Sequence, residues 1–228
     1  MESESNYEKT KRDARQRFTG YDQERIIKRL ALESDASFIY LNFIGQHVRI
    51  RRDDGLMEKE ADTGKAVETD EHGNRSKIST PDENRNWMQT NFEEALTIYD
   101  LLCHTAKPVQ LSGDFTTLEG LNRVVGGSSN TSLGNGFFLE TELFFDGKDL
   151  AFSKACTTLG GTPAGKGDVS FRIPLWGPID IQLSFYDSDD EFPAKLTILF
   201  DSKICDYLFY ETLWYASCCV LKRVRELM

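Results

Sequence analysis

The chain has 228 residues and a formal net charge of −10, with a pI near 4.9. Such a surface repels phosphate backbones. The densest basic stretch, Lys9 to Arg17, is accompanied by Glu8 and Asp13, which excludes a nucleic-acid role. Hydrophobic residues make up 39% of the chain and 15 residues are Phe, enough to build a core without disulfide staples.

Residues 4–17 are polar and helix-prone, and Gly20 interrupts them. Asp22 is placed to cap a second helix with Ile26, Ile27 and Leu30 on its apolar face. Phe38 to Phe43 is rich in strand formers, Ile44-Gly45 turns the chain, and Val48 and Ile50 alternate with His47, Arg49 and Arg51. That pattern predicts a hairpin with one apolar face, and Asp53-Asp54-Gly55 predicts a turn into a short third strand. From about 57 to 90 periodic apolar residues disappear, so this stretch reads as a polar, mobile insertion, with Trp87 and Met88 leading back to the core.

Asn91 and Glu94 form a capping-box pair ahead of a helix that carries Ala95, Ile98, Tyr99, Leu102 and Cys103 on one stripe. Two glycine-bearing loops follow, at 126–129 and 134–136. A short helix is predicted at 148–159, holding Leu150, Ala151, Ala155 and Leu159 and closed by Gly160. Val169, Phe171 and Ile173 then alternate as a strand that stops at Pro174. Ile179, Ile181, Leu183 and Phe185 give the cleanest period-2 signal in the chain, and Leu196, Ile198 and Phe200 make the next strand. A C-terminal amphipathic helix runs from about Tyr210, with Leu213, Ala216, Val220, Val224 and Leu227 on one stripe. Together these predict one α+β domain over residues 1–228: a curved antiparallel sheet with helices packed mainly on one face.

The cysteines, at 103, 156, 205, 218 and 219, are odd in number and form no C-x-x-C pair. They predict reduced thiols rather than a disulfide framework or a metal knuckle, and therefore a cytoplasmic protein. The N-terminus lacks a basic and then apolar leader, and no run of about 18 apolar residues suggests a membrane span. The sequon at Asn130 reads as chance.

The acidic turn Asp187-Ser188-Asp189-Asp190-Glu191 admits two readings: a charged hairpin turn, or a site for a hard cation or a substrate. Its spacing is not that of an EF-hand, and no metal is assigned. Phe192 is expected to anchor this turn, and Arg172, Glu191 and Asp201 to form a polar cluster if the fold converges them. Asp206 and Glu211 flank the start of the last helix, where its dipole favours negative charge. Tyr207, Tyr210, Trp214 and Tyr215 belong to a dense aromatic stretch suited to the core, a ligand pocket or a partner. Gly160 to Gly167 approaches a phosphate-binding loop, but Gly167 replaces the magnesium-binding hydroxyl and the loop follows a helix instead of opening one. A Cys103 or Cys156 nucleophile with His104 is conceivable, but Cys103 and His104 are adjacent on a helix and such neighbours do not face each other.

Gly160-Gly161, Gly167 to Pro174, Asp190 to Pro193, Leu199 to Asp201, and Asp206 to Leu208 with Glu211 resemble the signature of the DUF3786 family, a domain of unknown function of bacteria and archaea. The resemblance is densest over 148–228 and looser through 91–104 and 37–52, and the polar stretch at 57–90 stands apart from it. Such domains are common in anaerobes, and some are fused to a small iron–sulfur domain like that of corrinoid proteins. The resemblance implies context, not a mechanism. Three functions are carried forward: a binding or accessory domain for a small metabolite or a corrinoid-type cofactor, with Arg172, Asp190, Glu191, Phe192, Asp201, Tyr207, Glu211 and Trp214 as its binding residues; a carboxylate-based, divalent-cation-dependent enzyme; or a protein–protein assembly module.

Overall fold

The computed structural model describes residues 6–61, 86–105, 108–121 and 135–228. The chain divides into two compact units, one of Met1–Gln110 with Asp206–Cys219, the other of Leu111–Cys205 with Val220–Met228. Each unit holds one five-stranded antiparallel sheet. The class is α+β, with the strands shared between two sheets instead of gathered in one.

The first unit opens with α1 (Asn6–Thr19) and α2 (Gln23–Leu30). Asp22 caps α2, its Oδ1 accepting the Arg25 N–H at 3.0 Å. The sheet then runs in chain order through β1 (Glu33–Ser34), β2 (Phe38–Phe43), β3 (Gln46–Arg51), β4 (Met57–Glu60) and β5 (Trp87–Gln89). Ile44 and Gly45 between β2 and β3 both take positive φ, 44° and 76°, the geometry that matches the twist of paired strands. Leu41 faces Val48 and Ile39 faces Ile50, all four buried. On the other face Arg49 stands opposite Glu58, bonds it at 2.8 Å, and lies over the rings of Trp87 and Phe38 at 4.2 and 4.6 Å.

The ends of the segment expected to be an insertion are therefore strands, β4 pairing with β5; residues 62–85 lie outside the described residues. Trp87 returns to the packed structure beneath Arg49, whereas Met88 is exposed, because adjacent strand residues face opposite ways. α3 (Phe92–His104) starts at the expected capping box: Asn91 Oδ1 accepts the Glu94 N–H and Glu94 Oε2 accepts the Asn91 N–H, both at 2.9 Å. Ala95, Ile98, Tyr99 and Leu102 are buried along its stripe, and Tyr99 donates to the Gly55 carbonyl at 2.7 Å.

The second unit contains β6 (Phe115–Thr117), α4 (Leu118–Leu121), α5 (Asn135–Phe145), α6 (Asp149–Thr158), β7 (Thr162–Pro163), β8 (Val169–Trp176), β9 (Ile179–Tyr186) and β10 (Lys195–Asp201), with sheet order β6-β10-β9-β8-β7. Three sequence expectations change here. Asn135 and Gly136, read as loop, open α5; the apolar run that follows them overrides the glycine. Leu150 of α6 is 90% exposed, and Phe152 and Cys156 take the inner positions beside Ala155. β8 does not stop at Pro174 but passes it with a register irregularity before Trp176. Its neighbour β7 is only two residues long, so this side of β8 is an edge, where a proline is tolerated. The glycine loop at 126–129 lies outside the described residues.

Phe145 and Phe152 stack at 4.6 Å, and Phe185 meets both edge-on at 5.9 and 5.8 Å, which ties α5 and α6 to β9. The C-terminal helix α7 (Tyr210–Leu227) belongs to the first unit through Cys219 and to the second thereafter. Leu213, Ala216, Val220 and Val224 are buried on its predicted stripe. Asp100 of α3 supplies its N-terminal acceptor, bonding the Phe209 N–H at 2.8 Å.

Asp201 holds the second unit's sheet edge. It is completely buried at the end of β10 and accepts from the Ser112 N–H (3.1 Å) and hydroxyl (2.9 Å), the Gly113 N–H (2.7 Å) and the Lys203 N–H (2.8 Å). Burial alone would raise its pKa, but the bonds from Lys203, Ser112 and Gly113 outweigh that and hold it below the ordinary carboxylate value. Because the folded pKa is the lower one, the stabilisation is present above the unfolded value and is lost as pH falls through the folded value. Asp201→Asn is expected to lose about 2 kcal/mol in urea denaturation at neutral pH, in line with charge-assisted bonds worth ~1.5–3 kcal/mol. The gap to the wild type should close toward pH 3.

Candidate functional site

Strand alternation sorts the second sheet into two faces. Ile179, Ile181, Leu183 and Phe185 of β9 point to the apolar side and are all buried. Asp180, Gln182 and Ser184 point the other way, and the register places Pro174, Arg172 and Ser170 of β8 directly beside them. Sequence alternation suggests a solvated polar face. Instead Gln182 and Ser184 are only 5% and 6% exposed.

The segment that resembled a phosphate-binding loop is close to this face. Thr162 and Pro163 pair with Arg172 and Phe171, and the Ala164 N–H donates to the Ser170 carbonyl at 2.9 Å. Gly165 takes φ +69°, and a Cβ there would lie 2.3 Å from Gln182 Nε2 and 3.0 Å from Ser170 Oγ. A Cβ at Gly161 would lie 2.7 Å from the Cys156 carbonyl. The glycines therefore serve close backbone approach, and the loop is pinned to the sheet.

Arg172 is the exception among these tightly used groups. Its guanidinium lies over the Phe115 ring at 4.4 Å and makes one long bond, Nε to Gln182 Oε1, at 3.5 Å. Phe115 pairs in register with Asp201, so Arg172 and Asp201, two of the predicted site residues, come to the same end of the sheet. Between them lies Asp180, which sequence reasoning passed over as one more polar position. Burial pushes its carboxyl up, Arg172 pulls it down and Asp201 raises it further, leaving it above the ordinary carboxylate range. Asp180, Gln182 and Phe115 are thus the residues missed. The alternation gives the direction of Asp180 and Gln182, but only the covering loop accounts for the burial of Gln182, and only the β6–β10 pairing brings Phe115 to this end of the sheet.

The other predicted residues are not brought to this place. Asp190, Glu191 and Phe192 sit in the exposed turn before β10, with Phe192 66% exposed instead of anchored. The turn is shaped by Asp189, whose Oδ1 accepts the N–H groups of Glu191 and Phe192 at 2.8 and 2.7 Å. Asp187 accepts from the Gly147 N–H at 2.9 Å, and Asp146 from Ser188. Glu191 and Asp201 lie at opposite ends of β10, whose 7 residues span roughly 20 Å at about 3.3 Å each, so they do not converge. Among the described residues no group of three or more His, Cys, Asp or Glu side chains is arranged to hold a metal ion.

Tyr207, Glu211 and Trp214 belong to the first unit. Tyr207 is fully buried; its hydroxyl accepts from the Gln110 N–H at 2.8 Å and donates to the Gln110 carbonyl at 3.2 Å. Glu211 is exposed in the first turn of α7, and Trp214 is half-buried. Desolvation pushes the half-buried Cys103 thiol and the buried Cys156 thiol each up to about 12, so both are protonated at neutral pH and poor nucleophiles. His104 packs against the Phe209 ring at 4.1 Å. The first unit also holds a cavity of about 390 Å³ between α2 and Cys103.

No helix among the described residues is long and apolar enough to cross a membrane. No curated protein and no solved structure matches the chain. The model of a family described as a domain of unknown function, DUF3786, matches residues 64–223. The match starts inside the segment that looked foreign to that family and leaves the hairpin at 37–52 outside it. It covers the whole second sheet, including Arg172, Asp180 and Asp201. The chain belongs to the DUF3786 family.

Proposed function

We propose that the chain is a binding or accessory domain for a small acidic metabolite, recognised on the polar face of the second sheet. The observation that carries this reading is Arg172: a half-buried guanidinium held flat by Phe115 while its terminal N–H groups are left to a ligand. A planar fork so placed matches a carboxylate. Asp180 beside it offers a proton or an acceptor, and Phe115 offers an apolar surface. The 390 Å³ cavity of the first unit, taken by itself, is too small to enclose a corrin macrocycle. Native mass spectrometry of protein purified without oxygen, with thermal-shift titration of small carboxylic acids, tests the reading. A bound mass or stabilisation is expected in the wild type, with affinity at least about tenfold weaker in Arg172→Gln, since a charge-assisted bond is worth ~1.5–3 kcal/mol. Binding indifferent to that substitution, or no binding at all, counts against it.

The enzyme reading is supported by the same Asp180, whose raised pKa suits proton transfer better than the exposed Glu191 does. With the folded pKa above the unfolded one, the group's contribution is full below the unfolded value and is lost as pH rises through the folded value. Asp180→Asn is therefore expected to raise the melting temperature at neutral pH and to flatten its fall as pH rises above the ordinary carboxylate value of ~3.9. A lower melting temperature in the variant would contradict the unfavourable charge.

Assembly is a separate reading. α7 is too buried to be the surface, but Leu139 and Leu143 on α5 and Leu150 on α6 are 57%, 66% and 90% exposed. Light scattering should then show a dimer that Leu143→Glu dissociates; a monomer at tens of micromolar would remove this reading.

A further inference from the structure

We infer that the first unit carries a second, independent binding site, for the carboxylate or phosphate end of a small metabolite, in the cavity formed by Arg25, Arg29, Tyr21 and Cys103. The cavity measures about 390 Å³, at the small end of ligand pockets, which run from ~300 to 1,000 Å³. It therefore has room for more than a lone ion. Its floor is Ile26, fully buried, and its rim is the exposed Tyr21.

Arg29 gives the site its chemistry. Its Nη2 donates to the Leu102 carbonyl at 2.8 Å, which fixes the guanidinium plane, while its Nε is buried and has no hydrogen-bond partner. A buried donor left unsatisfied costs roughly 1–3 kcal/mol; this Nε is closed to solvent, so an oxyanion in the cavity meets the rest of the guanidinium and reaches the Nε only after a small shift of the side chains around it. Arg25 lies one turn earlier on α2, at the i, i+4 spacing that puts two side chains on one face. Among the described residues no carboxylate pairs with its guanidinium; Asp22 bonds its backbone N–H, at 3.0 Å.

The surrounding charges agree. Arg17 at the end of α1 and Asp100 on α3 also act on Cys103. Asp100 is engaged by the Phe209 N–H at 2.8 Å, and Asp22 is engaged as the cap of α2. Of the charged groups, Arg25, Arg29 and Asp22 line the cavity, two cations against one carboxylate that already caps α2, on a chain of net charge −10. Burial and the neighbouring Arg25 both disfavour the Arg29 cation, and a bound anion relieves both. Cys103, protonated, adds a neutral wall. Residues 20–29 precede the family match, so the site belongs to the part of the chain that match does not cover.

The test uses the full-length protein with inorganic phosphate and succinate as probes, titrated by calorimetry at low ionic strength and by amide chemical shifts. Binding of either probe in the millimolar range or tighter is expected, with shifts centred on residues 20–30 and affinity falling as salt is added. Arg29→Lys, which keeps the charge and loses the Nε donor, should weaken binding at least about tenfold. Arg25→Gln, at an exposed position that does not threaten folding, should weaken it several-fold and decides the matter if the Arg29 variant is unfolded by circular dichroism. Arg172→Gln should leave the shifts at residues 20–30 and their midpoint unchanged, which separates this binding from that on the second sheet. Absence of shifts at residues 20–30 with both probes, or shifts there that Arg25→Gln leaves unaltered, overturns the inference.

Discussion

The constraint on which the second unit depends is the two-residue period of β9. One set of its side chains must face the aromatic core of Phe145 and Phe152, so the alternate set, Asp180, Gln182 and Ser184, must face the other way together. A solvated polar face would be unremarked. Here the 160–167 loop lies over part of it, and burying Gln182 and Ser184 obliges them to find partners. Ser184 finds Ser170 at 3.0 Å, and Gln182 finds Ser184 at 3.4 Å. Gly165 takes φ +69° where the loop meets Gln182 and Ser170, so a larger residue there is strained. Arg172 and Asp180, toward the Asp201 end of the sheet, remain incompletely used. That is where the physical argument for ligand recognition gathers.

Much of the fold was legible because its signals are local. Asp22, the Asn91–Glu94 capping box, the Ile44-Gly45 turn and the stripe of α7 each act within a few residues, and each is found as expected. What was not legible depends on contacts distant in sequence. Nothing near Pro174 says that β7 is too short to demand its missing N–H, and nothing near Gly136 says that the phenylalanines after it draw the chain into helix. The division into two sheets is of the same kind, since each hairpin reads alike whichever neighbour it joins. The candidate site followed this rule. Arg172 and Asp201 were visible as polar residues at strand ends, but Phe115, 57 residues before Arg172, was not linked to them by any local pattern.

The acidic turn shows how a dense cluster of like charge misleads. Four carboxylates in five residues suggest convergence on a cation, yet short acidic side chains also satisfy backbone N–H groups, and in a turn those donors are nearer than any shared ion. Asp189 closes the turn on Glu191 and Phe192, and Asp187 reaches back to Gly147. The one carboxyl in the neighbourhood raised above its ordinary value is Asp149, lifted by burial and then by Asp187. Its position at the start of α6 makes local fold geometry the sufficient account of the cluster.

The two arginines on which the proposed sites rest differ from the structural ones in how their donors are used. Arg49 is sandwiched between Phe38 and Trp87 and also paired with Glu58, and Arg51 is paired with Asp54, so their charges are answered within the fold. Arg172 has the aromatic platform without the carboxylate bond, and Arg29 has the anchoring carbonyl without a partner for its Nε. In each case the fold fixes the orientation of a guanidinium and leaves its donors unfilled. Orientation without satisfaction lowers stability when the site is empty and lowers the ordering cost when a ligand arrives.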